Sequence, residues 1–220
     1  MIKCEEAAML MNIFTKHKLV WTEKKLVINI IASLLLLTLS FFVNYYANIY
    51  ALVNLGEPVG DLLLDILPVL DVHLIFSEGA VLFIILLIAL FLNEPKSIPF
   101  GVKAIALFVI VRSLFMILTH LGTPHGQIVI DPTDFVQTIS AGGDLFFSAH
   151  TGLPFLLAFV FWKQKILRYF FLLCTLIGGS AVLLGHLHYS IDVFAALFIS
   201  YGIFQIAKYM FKSDFELLDN

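Results

Sequence analysis

The run LVINIIASLLLLTLSFFVNYYA, residues 26–47, decides the class of fold. It contains no charged side chain, and a helix needs roughly 20 apolar residues to cross the hydrocarbon core of a bilayer. The run is too long for the apolar core of a signal peptide, and it lacks a small-residue cleavage site at its end. We therefore interpret it as an uncleaved membrane span.

The composition of the chain supports a membrane protein. The 220 residues are 60% hydrophobic and 13% charged, whereas a soluble domain is roughly 45–50% apolar and about 25% charged. The net charge of −3 is spread without a basic stripe, so we expect no nucleic-acid partner. Cys4 and Cys174 are expected at different depths and unpaired, and no Cys or His spacing typical of a metal site occurs.

Five further apolar runs can be read along the chain, at 73–93, 103–120, 148–162, 166–185 and 189–209. The third of these is short for a span. The pattern predicts an all-α fold: a polytopic membrane protein with a bundle of six transmembrane helices. We divide the chain into an N-terminal tail (1–25), a six-helix membrane domain carrying the candidate site (26–211) and a C-terminal tail (212–220).

The lysines and arginines predict the orientation. Twelve of the 13 lie in the two tails and in alternate loops, while the loops 48–72, 121–147 and 186–188 contain none. By the positive-inside rule, both termini are expected to be cytoplasmic. The thirteenth, Arg112, lies within the third predicted span.

The titratable groups gather on the opposite side, where six of the seven histidines and several acidic residues are predicted to lie. One such stretch is VGDLLLDILPVLD (59–71), which has apolar residues at helical spacing and Asp61 and Asp65 on one side. It is compatible with a short helix in the membrane interface or with a polar cap over the bundle.

Two short motifs begin predicted spans on that side. In GGDLFFSAHT (142–151), Ser148 is suited to cap a helix, and the first-turn amides and the helix dipole would form an anion site next to His150. In GHLHYSID (185–192), His188 and Asp192 are four residues apart and would share one face of a helix.

Together with Arg112, these residues suit metal-free phosphoryl transfer. An aspartate can orient one imidazole as a nucleophile, a second imidazole can protonate the leaving oxygen, and an arginine can bind a tetrahedral oxyanion. A charge within a span is a functional hypothesis by default. Each residue alone also has a structural interpretation: a packing histidine, a capping aspartate, or an Arg112 paired with Glu78.

The motifs resemble those of the type-2 phosphatidic acid phosphatase superfamily, and within it the sphingomyelin-synthase branch. That branch has C-G-D-x-x-x-S-G-H-T and H-Y-T-x-D-V, which are similar to residues 142–151 and 188–193. Its R-x6-T-x4-P pattern is matched by Arg112, Thr119 and Pro124. The wider superfamily has an arginine where this chain has Val182, and the sphingomyelin-synthase branch lacks it too.

The resemblance implies a role for each matched residue. His188 would be the nucleophile that forms a phosphohistidine, Asp192 would orient it, and His150 would protonate the leaving group. Arg112, Ser148 and Asp144 would bind the substrate phosphate.

The implied function is a membrane-embedded, metal- and cofactor-independent phosphotransferase. It would move a phospho-alcohol, such as phosphocholine or phosphoethanolamine, from a membrane phospholipid to a lipid alcohol. One alternative is a lipid phosphate phosphatase or phosphodiesterase with water as acceptor; another is a non-catalytic lipid-binding or transport protein. The site is expected on the non-cytoplasmic side, which is the periplasmic face of the inner membrane in a bacterium. A homo-oligomer is compatible with the sequence.

Overall fold

The structure is a computed structural model that describes residues 22–129 and 145–219. It is 75% helix, and the described residues contain no strand. Together with the composition, this confirms the all-α class and indicates an integral membrane protein.

Seven α-helices follow one another along the described chain. They are α1 Lys24–Val53, α2 Gly79–Asn93, α3 Ile98–Leu118, α4 Ala149–Val160, α5 Lys165–Leu184, α6 Ser190–Met210 and α7 Lys212–Asp219. A π-helical turn, Leu74–Glu78, runs into α2, and a 3₁₀ turn, Pro95–Ser97, leads into α3.

Five of these segments are long and apolar enough to cross a membrane: Lys24–Val53, Leu74–Asn93, Pro95–Leu118, Lys165–Leu184 and Ser190–Met210. Each coincides with a predicted span. The remaining predicted span, 148–162, is realised as α4, which has only 12 residues against the roughly 20 that a bilayer core requires. Five candidate spans are therefore established, and the count of six stays a prediction.

The core lies between α3, α4 and α6. The short helix α4 packs against both α5 and α6, and α1 packs along α3. Aromatic side chains fill the interior, including Phe100, Phe108, Phe147 and Phe161, each no more than 1% exposed. In contrast, Leu35 on α1 is 65% exposed, as expected for a helix that faces lipid. The short α4 is thus enclosed by the longer helices.

A buried carboxylate joins the C-terminal helix to the bundle. Asp214 of α7 accepts a hydrogen bond from Asn29 Nδ2 of α1 at 2.7 Å and pairs with Lys103 Nζ of α3 at 2.5 Å. The segment predicted as a C-terminal tail is therefore helical and attached to α1 and α3.

The connecting segments at the other end of the bundle fold over the start of α6. Residues 61–67 form hydrogen-bonded turns, with Asp65 N donating to Asp61 O at 3.0 Å and Leu67 N to Leu63 O at 2.9 Å. They do not form a regular helix. Leu70 N then donates to Leu184 O at 2.8 Å, so the stretch 59–71 covers the bundle end, as the polar-cap interpretation expects.

Candidate active site

His188 and Asp192 form a buried pair at the start of α6. His188 Nδ1 lies 3.2 Å from Asp192 Oδ2, and the two residues are 2% and 0% exposed. Because a carboxylate only accepts, Nδ1 is the protonated nitrogen of this contact. In the part of the chain that the structure describes, Nε2 of His188 has no hydrogen-bond partner. The pair therefore presents Nε2 as the nitrogen with a lone pair.

The pair does not arise from a shared helix face, so that part of the sequence interpretation is wrong. α6 begins at Ser190 with Tyr189 as its N-cap, and His188 precedes the helix. Asp192 turns back toward the N-cap and accepts the Tyr189 amide at 3.1 Å with the same Oδ2 that meets His188. A first-turn carboxylate that caps the preceding backbone thereby also orients the imidazole.

A tight turn after α5 sets the path of the chain toward His188. Leu187 N donates to Val182 O at 2.9 Å, and His186 has a positive φ of 51°, a conformation that usually favours glycine. The imidazole of His186 contacts two backbone carbonyls, His125 O at 3.0 Å and Leu67 O at 3.3 Å. The side chain at this strained position thus ties two outer segments to the turn.

The first turn of α4 is joined directly to the first turn of α6. Ser148 occupies the predicted N-cap position with an extended backbone, and its N–H donates to Asp192 O at 3.2 Å. Its hydroxyl makes no cap bond, and Ser148 Oγ is among the described buried oxygens without a hydrogen-bond partner, as is Asp192 Oδ1. The first-turn amides of α4 have no intrahelical acceptor, so this helix end suits an anion.

His150 lies in the same turn of α4 and packs on the π-helical turn. Its ring stacks on Phe76 with the centroids 4.2 Å apart, and its Nε2 is 3.1 Å from Phe76 O. Phe76 belongs to a small buried cluster with Val182 and Leu187, which flank the turn before His188. Both predicted catalytic histidines are thus attached to the same end of the bundle.

Arg112 is buried, 5% exposed, near the start of α4. Its Nε donates to Phe147 O at 3.0 Å, and its Nη1 lies 3.3 Å from Met116 Sδ. Phe147 directly precedes Ser148, so the guanidinium lies beside the first turn of α4. Glu78, the partner considered from sequence, instead contacts His73 at 3.6 Å.

A cavity of about 320 Å³ has Arg112 and His150 in its wall. Its remaining lining is mainly apolar and comes from α1 to α5 and the π-helical turn, including Phe41, Phe83 and Ile177. Ligand pockets commonly measure roughly 300–1,000 Å³ and combine apolar walls with a few polar groups. A second cavity, near Trp162 and Lys208, lies away from these residues.

Asp144, the remaining predicted phosphate ligand, lies outside the described residues. Among the residues that are described, no group of three or more His, Cys, Asp and Glu side chains is arranged to hold a metal ion.

Sequence reasoning missed two residues that hold this site together. Asp61 Oδ2 accepts the Ser190 amide at 2.7 Å. Tyr189 OH donates to Gly122 O at 2.8 Å and accepts the Val59 amide at 3.1 Å. Asp61 lies in an outer loop and Tyr189 in the motif at 188–193, but neither position indicates these contacts; Asp61 and Ser190 are 129 residues apart.

Comparison with known families supports the chemistry that this geometry suggests. The family described as PAP2 superfamily C-terminal matches residues 142–209, a range that contains both histidine motifs and their contact. The match supports the type-2 phosphatidic acid phosphatase superfamily, with a lipid phosphatase or phosphotransferase type of function. It suggests a metal-independent phosphatase-type enzyme. The search of curated proteins found no match.

Proposed function

We propose that the protein is a lipid headgroup phosphotransferase of the sphingomyelin-synthase type, working through a phosphohistidine. The observation that carries the proposal is the hydrogen bond from Ser148 N to Asp192 O. It joins the turn that bears His150 to the turn that bears the His188–Asp192 pair, which supports a common phosphate site for the two histidines.

In the first half-reaction, His188 Nε2 attacks the phosphorus of a membrane phospholipid. A P–N bond forms, and the P–O bond to the diacylglycerol oxygen breaks. His150 supplies a proton to that oxygen, from Nδ1 or from Nε2 after the ring has turned away from Phe76 O. Asp192 holds His188 in the required tautomer and stabilises the charge that develops on the ring.

In the second half-reaction, a lipid alcohol attacks the phosphohistidine. His150 accepts the proton of the hydroxyl, the new P–O bond forms, and the P–N bond to His188 breaks. Arg112, Ser148 and Asp144 are the proposed phosphate-binding residues; the first two lie at the uncapped N-terminus of α4, where amides and a guanidinium stabilise an oxyanion.

Burial favours a lipid acceptor over water. His188 is 2% exposed, and the cavity that reaches Arg112 and His150 has mainly apolar walls. The burial of His188 limits the access of water to a phosphohistidine there, and the apolar walls of the cavity beside His150 suit a lipid acceptor.

The proposal includes the membrane topology. Six helices span the bilayer with α4 as the short one, both termini are cytoplasmic, and the site faces the non-cytoplasmic side. The lysine and arginine distribution supports this orientation.

The test is incubation of the purified protein with a phospholipid labelled in its headgroup, with and without ceramide or diacylglycerol as acceptor. We expect the label in a new lipid only when the acceptor is present, no turnover with His188→Gln, and normal turnover with His120→Gln, an exposed histidine in the adjoining loop. Free headgroup phosphate as the sole product would establish the hydrolase instead. Bound but unchanged lipid would support the non-catalytic alternative.

A further inference from the structure

Asp61 is a buried carboxylate in the outer segment that covers the start of α6. It lies in none of the helices, is 9% exposed, and uses both of its oxygens. Oδ2 accepts the Ser190 amide at 2.7 Å, while Oδ1 accepts the amides of Leu63 at 2.9 Å and Leu64 at 3.2 Å. One side chain therefore closes its own turn and binds the first residue of α6.

The position of Ser190 makes this contact relevant to the candidate site. Ser190 lies two residues after His188 and two before Asp192, so its amide is the midpoint of the backbone that joins the pair. The adjacent Tyr189 is attached independently, through its hydroxyl, to Gly122 O at 2.8 Å and Val59 N at 3.1 Å. The outer segments thus hold the loop between nucleophile and orienting carboxylate at two neighbouring points.

The outer segments are themselves packed closely enough to act as a firm support. Gly122 N donates to Glu57 O at 3.2 Å, and a Cβ added at Gly122 would come within 2.5 Å of Gly56 O and of Pro58 N. Only glycine permits this approach of two backbones. The stretch leading to Asp61 is therefore fixed against the segment that receives Tyr189.

The N-termini of α4 and α6, which meet at the site, differ in the groups that cap them. At α6 the carboxylates of Asp61 and Asp192 already accept the amides of Ser190 and Tyr189. At α4 the side chain of Ser148 caps nothing. The helix dipole favours anions at both of these N-termini. Because carboxylates already occupy the N-terminus of α6, that end is suited to holding the nucleophile, while the N-terminus of α4 is suited to binding substrate phosphate.

We propose that Asp61 is a positioning residue for the His188–Asp192 pair, which it holds in register through the Ser190 amide without touching the reacting atoms. The inference rests on the proposed function, since it takes His188 as the reacting group.

The test compares Asp61→Asn with Asp65→Asn in the full-length protein in lipid nanodiscs. Asp65 is exposed in the same turn. Its variant therefore loses the same charge as Asp61→Asn but leaves the contact between Asp61 and Ser190 intact. The one oxygen of an asparagine can still accept a hydrogen bond on one side. On the other side its NH₂ group faces a backbone N–H that needs an acceptor. We expect kcat of Asp61→Asn to fall by about ten- to a hundredfold, since small misplacements of reacting groups have effects of this size. KM should stay unchanged because Asp61 does not line the cavity.

A second measurement follows the pair without relying on turnover. In protein labelled with ¹⁵N-histidine, the Nδ1 proton of His188 is assigned by its disappearance in His188→Gln. Its exchange with solvent should be slow in the wild type and in Asp65→Asn, because Asp192 accepts it, and severalfold faster in Asp61→Asn.

Two results would overturn the proposal. In the first, Asp61→Asn has wild-type kcat and wild-type proton exchange; in the second, its activity falls only because less of the protein is folded, so that kcat per folded molecule is unchanged. A wild type that turns over no lipid would refute the proposed function instead. In that case the proton exchange still decides whether Asp61 holds the pair.

Discussion

The backbone N–H of Ser148 donates to the backbone carbonyl of Asp192 at 3.2 Å. Through this bond the start of a 12-residue helix is fixed against the start of α6, where Asp192 meets His188. Backbone contacts of this kind do not depend on side-chain rotamers, so the relative position of the two turns is a property of the fold.

Removing the negative charge from Asp192 should disable the nucleophile. In Asp192→Asn, the amide can present NH₂ to His188 Nδ1, which would favour the tautomer protonated at Nε2. We expect kcat to fall by roughly 10²–10⁴-fold, the range for loss of an orienting carboxylate or of a general acid–base group. Steady-state turnover measures this, with Asp65→Asn as the control for charge. Turnover within a few fold of wild type would contradict the assigned role.

Close packing behind His150 should make Gly178 sensitive to a single methyl group. A Cβ at Gly178 would lie 2.3 Å from His150 O, so Gly178→Ala must move α5 away from α4. We expect a loss of about 1–3 kcal/mol, typical of overpacking, together with reduced turnover. Thermal unfolding in detergent and lipid turnover check this.

Gly202→Ala provides the matched control for that substitution. Nothing lies within 4 Å of a Cβ added at Gly202 in α6, so the alanine should stabilise the helix by up to about 1 kcal/mol. If both glycine variants unfolded at the same temperature, the tight contact between α5 and α4 would be refuted.

At the other end of the bundle, Asp214→Ala should lower stability without changing the chemistry. The substitution leaves Lys103, 13% exposed at its side chain, without its carboxylate, and removal of one partner of a buried pair typically costs about 3–5 kcal/mol. We expect a lower melting temperature and an unchanged kcat per folded molecule. Glu216→Ala is the control, since its contact with Lys212 is exposed and 3.8 Å long. Equal melting temperatures for the two variants would contradict the structural role of Asp214.

The lowered pKa of Asp61 should make the stability of the protein depend on pH. Burial alone would raise the pKa of its carboxyl, but the hydrogen bonds from the amides of Ser190, Leu64 and Leu63 outweigh burial and hold the pKa below the ordinary value of 3.8. A carboxyl with a lowered pKa in the folded state contributes stability above its unfolded pKa and loses it as the pH falls through the folded pKa.

The difference in melting temperature between wild type and Asp61→Asn should therefore be constant above about pH 5 and shrink below pH 3.8. Thermal unfolding across this range measures it. A difference that grows on acidification would show that Asp61 is not held as a carboxylate.

Hydropathy was sufficient to locate the apolar helices, but it missed α7, which was assigned to a tail, and it did not show how the loops bind the bundle. Each long apolar run became a helix because burial in lipid requires the backbone to satisfy its own hydrogen bonds. The His188–Asp192 contact was also predictable, since it is local, although its geometry is that of a helix cap. Asp61 and Ser190 are 129 residues apart, and their contact depends on how the outer segments pack, which no local pattern encodes.

In the proposed mechanism, His188 carries the phosphoryl group during turnover. The most direct measurement is peptide mass spectrometry of the full-length protein quenched in alkali during turnover of a phospholipid, because a phosphohistidine survives base. We expect the phospho-alcohol of the headgroup on His188 in the wild type and no adduct in His188→Gln. An unmodified His188 during active turnover, or full turnover by His188→Gln, would contradict it.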